Sequence, residues 1–256
     1  VRLRGDDVHV GSTKAFMILA GKPWLHWCLK SLRTAGIYRL VIAGDRSEWL
    51  ERAGVVVARL EGDADFDHVE YFGDTGDGVH GLPFQARDLL DDTFVFDGGS
   101  SIMDPRHYRA LIARKTGENA VFSSFTPDPA NLSRYRTFMA PDGTCEPGSD
   151  HDEEVVLGQP MVIDRRYVGL LAGKGFNVRA MADHYAAAGR LAAVRSAMPP
   201  ECNVGPEYWG ASRVWQASLK LDPVGWFPWV ATRLLADQGT RTSQKQDPSR
   251  GLGRRR

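Results

Sequence analysis

The hydrophobic pattern in the first half of the chain is a series of short, continuously apolar runs separated by stretches of helical periodicity. The apolar runs are residues 40–43, 55–57, 93–96 and 120–122. A run without polar alternation is typical of a strand buried on both faces, and helices between such strands indicate a mostly parallel sheet covered on both sides. The pattern therefore predicts an α/β fold, with three Rossmann-like layers around a mostly parallel sheet.

Stretches with helical spacing connect these runs. Pro23 suits the first turn of a helix that Gly36 ends. Three further helices are predicted, one that carries Trp49 and Leu50 and two over residues 80–90 and 106–114. The residues of the last helix predicted to face inward are Tyr108, Leu111 and Ile112. Ligands of such folds bind at the carboxyl ends of the strands. The candidate positions are therefore the three strand ends followed by Gly or Asp, namely Gly44-Asp45, Gly73-Asp74 and Asp97-Gly98-Gly99.

The second half has a different organisation. Strands are predicted over residues 135–139 and 154–163, and the helices that follow over residues 178–191, 207–219 and 227–235. From residue 238 onward the sequence is polar and basic, which is typical of a disordered tail. We therefore predict an α/β domain over residues 1–175, a helical C-terminal extension packed on it over residues 176–237, and a tail over residues 238–256.

Composition narrows the class of protein. The 256 residues are 43% hydrophobic and 25% charged, with 32 basic and 32 acidic side chains, so no net charge favours nucleic acid or an anionic membrane. The sequence contains neither a membrane-spanning run nor a signal peptide, so a cytoplasmic protein is expected. The three cysteines, Cys28, Cys145 and Cys202, form no CxxC pair, so their thiols are expected to be reduced. Cys28 is predicted to be a buried, inert thiol.

Three blocks of sequence resemble a known family. Residues 12–25, STKAFMILAGKPWL, are similar to the PKALLPVAGKPLL stretch of sugar-phosphate and molybdenum-cofactor-type nucleotidyltransferases. Residues 35–42, AGIYRLVI, resemble the AGIDEIVVV that follows it, and residues 92–99, DTFVFDGG, with Asp104-Pro105 resemble DDFLVLNGDVLFDP. The resemblance implies the nucleotide-diphospho-sugar transferase fold, also called GT-A-like.

The family transfers a nucleotidyl group from a nucleoside triphosphate to a phosphorylated or hydroxylated small-molecule acceptor and releases pyrophosphate. Attack on a phosphate requires cations at its oxygens, which a lysine and a Mg²⁺ ion supply. By resemblance, Lys14 is the cation near the phosphates and Mg²⁺ is the expected cofactor. The partners are then the triphosphate and its acceptor, with a homo-oligomer left open.

The sequence departs from the family pattern in two places. The family pattern has a buried first strand and a glycine-rich turn at the position where this chain opens in charged residues. This difference suggests an incomplete or unusual N-terminus. The candidate remnants of the glycine-rich turn are Gly5, Asp6 and Gly11. The metal-binding aspartate of the family falls at Gly99, so Asp97 is the candidate metal ligand. Gly81 is a candidate for contacting the base.

Two alternatives stay open. A catalytically silent regulatory or assembly relative would keep the sheet and lose the metal site, and Gly99 favours it. The second alternative is a GT-A glycosyltransferase that uses a sugar nucleotide, because the segment around Asp97 also resembles the DxD segment of those enzymes.

Overall fold

The computed structural model describes residues 14–16, 18–19, 22–44, 47–60, 66–73, 82–99, 102–127, 135–146, 153–170 and 178–196. The strands are β1 Ile18–Leu19, β2 Lys22–Pro23, β3 Arg39–Gly44, β4 His68–Gly73, β5 Thr93–Phe96, β6 Ala120–Phe125, β7 Arg136–Met139, β8 Cys145–Glu146, β9 Glu153–Asp164 and β10 Leu191–Arg195. The α-helices are α1 Trp24–Thr34, α2 Ser47–Ala58, α3 Leu82–Gln85, α4 Pro105–Arg114, α5 Arg165–Leu170 and α6 Val178–Ala187, and two 3-10 turns cover Lys14–Phe16 and Arg87–Leu89.

The main sheet has six strands, of which four run in the same direction, although only the β10–β6 pair of neighbours is parallel. Its path is β10-β6-β9-β7-β8, and β5 also pairs with β9. Because β5, β6 and β7 are each antiparallel to β9, and β10 is parallel to β6, these four strands run one way and β8 and β9 run the other. Strands β3 and β4 form a separate parallel pair.

Alternating side chains of the main sheet face two different helical layers. One face packs against Leu111 of α4, and the other packs against α5 and α6. The residues facing α4 are Val121, Val162 and Ala192. Those facing α5 and α6 include Phe122, Met161, Ile163 and Ala193. This period of two, with helices on both sides, confirms the predicted three-layer α/β class.

Two predictions about these elements are wrong. Residues 55–57 lie in α2 rather than in a strand, because Ala53 and Val56 are buried at helical spacing while Val55 is 49% exposed. Packing of the helix therefore prevails over the strand preference of these three β-branched residues. Residues 40–43 do form a strand, but it pairs with β4 outside the main sheet.

The other predicted elements need smaller corrections. The helix predicted over residues 80–90 is the short α3 followed by a 3-10 turn. The helix predicted over residues 178–191 ends at Ala187, and Leu191 instead begins β10 beside β6. The strands predicted over residues 135–139 and 154–163 are confirmed as β7 and β9. The predicted helices over residues 207–219 and 227–235 and the tail lie outside the described residues.

Helix α4 is tied to the centre of the sheet by a buried hydrogen-bonded chain. His107 Nε2 lies 2.8 Å from Ser123 Oγ on β6, and that hydroxyl donates to the Pro160 carbonyl oxygen of β9 at 2.7 Å. Since the single Ser123 proton is used on Pro160, the imidazole must donate, which requires a proton on Nε2. Burial lowers the pKa of His107 from 6.5 to about 4, against the opposing effect of the Asp104 carboxylate.

A second link joins the opposite end of the same elements. The Asp164 carboxylate that ends β9 lies 3.0 Å from Lys115 Nζ and accepts from Thr93 Oγ1 at 2.9 Å. Both charged side chains of the ion pair are about nine-tenths buried. The start of β5 and the end of α4 are thereby fixed to β9.

The lowered pKa of His107 predicts acid sensitivity of the fold. Between pH 6.5 and about 4 the unfolded chain binds a proton at this imidazole that the folded chain does not, so stability falls as pH falls through that window. The pKa difference corresponds to a loss on the order of 3 kcal/mol. Denaturant unfolding at pH 7 and pH 4.5 should show this loss in the parent and a smaller one in His107→Gln. The control is His68→Gln, at an exposed histidine, which should keep the parent's pH dependence of stability. If His107→Gln also kept that pH dependence, His107 would not be the source of the acid sensitivity.

Candidate functional site

The candidate site is the turn that follows β5 at the carboxyl edge of the sheet. Asp97, Gly98 and Gly99 form it, and helix α1 packs against it. The Cys28 thiol on α1 lies 3.8 Å from the Gly99 carbonyl oxygen, and Ser31 Oγ donates to the carbonyl oxygen of Met103. Cys28 is buried, as predicted. The turn is therefore held between β5 and the first half of α1.

Both oxygens of the Asp97 carboxylate accept hydrogen bonds. Oδ1 accepts from the Gly99 backbone N–H at 2.8 Å, which closes the turn, and Oδ2 accepts from the Tyr108 hydroxyl of α4. Tyr108 is fully buried, so its hydroxyl needs a partner inside the protein. Asp97 thus caps the turn and anchors α4 at the same time.

The surroundings of Asp97 disfavour its charge. Burial raises the pKa of Asp97, and the hydrogen bonds from Tyr108 and Gly99 oppose that rise without cancelling it. The pKa of Tyr108 is raised well above its usual value, mainly by burial and then by the neighbouring Asp97 carboxylate. A cation arriving near Asp97 would therefore be favoured, because it would compensate a charge that the protein stabilises poorly.

The two glycines of the turn differ in what they require. Gly99 has φ +64°, a left-handed conformation that favours glycine, yet an added Cβ would meet no atom within 4 Å. At Gly98 an added Cβ would lie 2.5 Å from Oε1 of Gln159, a side chain that reaches the turn from β9. The space beside Gly99 is therefore open, whereas a side chain at Gly98, although that residue is exposed, would require Gln159 to move.

Asp97 can supply one of the ligands that a Mg²⁺ ion requires. Within the described part of the chain, no three metal-ligating side chains come together. Mg²⁺ in nucleotide enzymes typically takes one or two carboxylates and completes its shell with phosphate oxygens and water. Each Asp97 oxygen accepts one hydrogen bond from a described residue and has a second lone pair, so this carboxylate fits that limited role.

The remaining predicted site residues are only partly placed. Lys14 begins the 3-10 turn before β1, a turn that contacts α1, and its side chain lies outside the described residues. Gly5, Asp6, Gly11 and Gly81 also lie outside them.

Sequence reasoning missed two contributors to the site. Tyr108 was predicted only to face inward, and its bond to Asp97 was not foreseen. Gln159 was not considered at all, because no local motif marks a β9 side chain that approaches β5 from the neighbouring strand. A signal for Tyr108 exists in the sequence: a buried tyrosine one turn into a helix after a strand-end aspartate can reach back to that carboxylate.

Helix α4 starts where the sequence predicts. Asp104 is its N-cap and accepts from the Arg106 backbone N–H at 2.7 Å, while Pro105 occupies the first turn. Of its three residues predicted to face inward, Tyr108 and Leu111 are buried. The prediction for Ile112 is wrong, because that side chain is 42% exposed and lines a cleft between β3 and β5.

Comparisons with known proteins identify the fold. No protein-family model matches the sequence, and no curated protein matches it. Among solved structures, HddC from Yersinia pseudotuberculosis is similar with a TM-score of 0.57 and 14% identity, over 84% of this chain and 95% of that one. The 4-diphosphocytidyl-2C-methyl-D-erythritol synthase from Anaerococcus prevotii is similar with a TM-score of 0.58 and 11% identity, over 79% and 93%.

A third similar structure is a CMP:2-keto-3-deoxy-manno-octonic acid synthetase complexed with CTP. Its TM-score is 0.54 and its identity 15%, over 80% of this chain and 92% of that one. The chain therefore has the fold of the nucleotidyltransferases, which confirms the fold that the three sequence blocks implied. At these identities the likeness establishes the fold, and the molybdenum-cofactor type stays a prediction.

The geometry around Asp97 predicts that its charge is dispensable for folding. An asparagine oxygen can accept from the Gly99 N–H, so Asp97→Asn should keep the turn. Because the folded pKa of Asp97 is raised above the unfolded 3.8, the parent loses stability as pH rises past that value, and the neutral amide avoids the loss. Thermal unfolding at pH 7 should give Asp97→Asn a stability equal to or above that of the parent, while Asp97→Ala should lose about 1–3 kcal/mol. A strongly destabilised Asp97→Asn would show that the carboxylate charge itself supports the fold.

Proposed function

We propose that the chain is a nucleotidyltransferase that moves a nucleoside monophosphate group from a nucleoside triphosphate to a phosphorylated or hydroxylated small molecule. The observation that carries the proposal is the Asp97-Gly98-Gly99 turn at the carboxyl edge of a sheet with this fold. Solved proteins of similar fold include HddC complexed with GMP-PN and the synthetase complexed with CTP. Carboxyl edges are also where α/β sheets bind ligands in general.

The chain's own residues have distinct proposed roles. Lys14, in the turn before β1, supplies positive charge to the phosphates. Gly5, Asp6 and Gly11 precede Lys14 in the sequence and bound the triphosphate, and Gly81 contacts the base through its backbone. We assign these roles from the resemblance of the sequence to the nucleotidyltransferases.

Asp97 is the proposed protein ligand of a Mg²⁺ ion. The ion, when bound, neutralises phosphate charge during attack on the α-phosphate. Tyr108 and the Gly99 N–H hold the carboxylate in one orientation before any ion arrives, so little side-chain entropy is lost on binding.

A second candidate is a catalytically silent relative with a regulatory or assembly role. The observation that favours it is Gly99, which occupies the position of the family's metal-binding aspartate and leaves open space where that side chain would lie. Asp97 would then serve only as the cap of the turn.

Binding of the four nucleoside triphosphates decides between these two candidates. We expect at least one of them to raise the melting temperature in the presence of Mg²⁺, because a ligand at 100 times its Kd stabilises the folded state by about 2.7 kcal/mol. Asp97→Asn should fold normally and lose the Mg²⁺-dependent part of this shift. A flat response of the parent to all four nucleotides would favour the silent relative. A Mg²⁺-dependent shift retained in Asp97→Asn would exclude Asp97 as the metal ligand.

Substitution of Lys14 tests the proposed phosphate contact. Lys14→Ala should weaken nucleotide binding by about 10- to 100-fold, the equivalent of a charge-assisted contact of ~1.5–3 kcal/mol. Calorimetric titration measures this change, and an unchanged melting temperature without nucleotide shows that the fold is intact. Arg59→Ala, at an exposed cation after α2, is the control and should bind as the parent does. Parent-like affinity in Lys14→Ala would make Lys14 an ordinary surface lysine.

A further inference from the structure

A cavity of about 510 Å³ lies at the end of the main sheet opposite the Asp97 turn. Thr93, the first residue of β5, and Asp164, the last residue of β9, both line it. Because Asp97 lies four residues beyond Thr93, about 13 Å along an extended strand, the cavity is separate from the candidate site. Its other described lining residues are Arg87, Asp88, Asp92, Gly117, Arg165 and Arg166.

Asp164 contributes a buried oxygen that lacks a hydrogen-bond donor. Its Oδ1 accepts from Thr93 Oγ1 at 2.9 Å and lies 3.0 Å from Lys115 Nζ, whose charge balances the carboxylate. No described residue donates to Oδ2, which is buried, and Arg166 Nη2 is 3.8 Å away from it, too far for a hydrogen bond. Since buried polar atoms nearly always have a partner, a bound group that carries a donor is expected beside the half-exposed Arg166 side chain.

Three arginine side chains line the same cavity, and neighbouring elements hold two of them in place. Arg165 Nη1 donates to the Leu90 carbonyl oxygen at 3.0 Å, and the Arg165 backbone N–H donates to the Asp92 carbonyl oxygen at 2.8 Å. Arg166 Nη2 lies 2.7 Å from the Glu118 carboxylate. A guanidinium group has five N–H donors in a fixed plane, so each of these arginines has donors left for an anion.

The acidic partners of the three arginines neutralise them only weakly. Asp88 and Asp92 are 89% and 92% exposed, and ion pairs with such exposed groups are weak enough for another anion to displace them. Glu118 is shared between Arg166 and Arg190. At Gly117 an added Cβ would meet no atom within 4 Å, so the lining is open on that side. The cavity therefore combines a surplus of positive charge with one buried acceptor.

We propose that this cavity binds phosphate, either free or as the phosphoryl group of a hydroxylated small molecule. The phosphoryl oxygens accept from Arg87, Arg165 and Arg166, and a hydroxyl of the ligand donates to Asp164 Oδ2. Inorganic phosphate carries such a hydroxyl at neutral pH, whereas sulfate, which has the same tetrahedral shape, carries none. Sulfate would place only lone pairs against the carboxylate and be repelled, so the site selects phosphate over sulfate.

Calorimetric titration of the full chain at pH 7 and constant ionic strength, without nucleotide or Mg²⁺, tests this selectivity. Phosphate should bind about tenfold or more tightly than sulfate. Equal affinity for the two anions would exclude the bond to Asp164 Oδ2, and binding of neither would mean that water alone fills the cavity. Either result overturns the proposal.

Ribose 5-phosphate, titrated in the same way, distinguishes the two sources of the phosphoryl group. Binding tighter than that of inorganic phosphate identifies a hydroxylated phosphate ester as the ligand, because its sugar hydroxyls then supply the donor. Weaker binding identifies free phosphate. Both results require the preference over sulfate to hold.

Matched arginine variants locate the site. Arg166→Gln should weaken phosphate binding by about tenfold or more, and an unchanged melting temperature without phosphate shows that this half-exposed position leaves the fold intact. The control is Arg195→Gln, which removes the same charge from an ion pair with Glu153 and is outside the described lining, so it should bind phosphate as the parent does.

A further variant separates this cavity from the candidate nucleotide site. Lys14→Ala should bind phosphate as the parent does. Loss of binding in Lys14→Ala together with parent-like binding in Arg166→Gln would place the anion at the candidate nucleotide site and overturn the proposal. Because neither nucleotide nor Mg²⁺ is present, failure of the proposed nucleotidyl transfer would leave these results unchanged.

Discussion

Both edges of strand β9 are hydrogen-bonded, and most of the other elements take their positions from it. One edge pairs with β6, and the other pairs with β7 in its first half and β5 in its second. Through the Pro160 carbonyl oxygen it also holds Ser123 and, by way of that hydroxyl, His107 on α4. Its last residue, Asp164, fixes Lys115 and Thr93. Disruption of β9 would therefore release the sheet and α4 together.

The candidate site depends on this arrangement because its parts come from separate elements. Asp97 follows β5, which β9 positions, and Tyr108 lies on α4, which the His107 chain positions. Gln159 reaches the turn directly from β9. The orientation of the Asp97 carboxylate is thus set by the sheet, by a helix and by the turn itself. Such over-determination is what keeps a poorly solvated carboxylate in one place.

The sequence predicted the layer arrangement well where hydrophobic pattern and packing agree, and failed where they compete. Residues 93–96 and 120–122 are strands because apolar runs between helices have few other ways to be buried. Residues 55–57 are also continuously apolar, yet Ala53 and Val56 lie on one buried face of α2, and helical packing prevails. The exposure of Ile112 was not predictable, because the cleft that this side chain lines is formed by tertiary packing. For the site, the position of Asp97 could be predicted from the strand end, but its bond to Tyr108 arises from tertiary contacts that no local pattern encodes.

The cleft between β3 and β5 also has a consequence for how the protein is handled in solution. Strands β3 and β5 each have one edge that pairs with no other strand in the described part of the chain, and a strand edge with apolar flanks is a template for pairing with other chains. The Arg39–Asp91 ion pair at one end of the cleft places two charges beside that template, and charges at strand edges discourage such pairing. Because Asp97 also lines this cleft, another chain that paired with the edge would cover the candidate site as well.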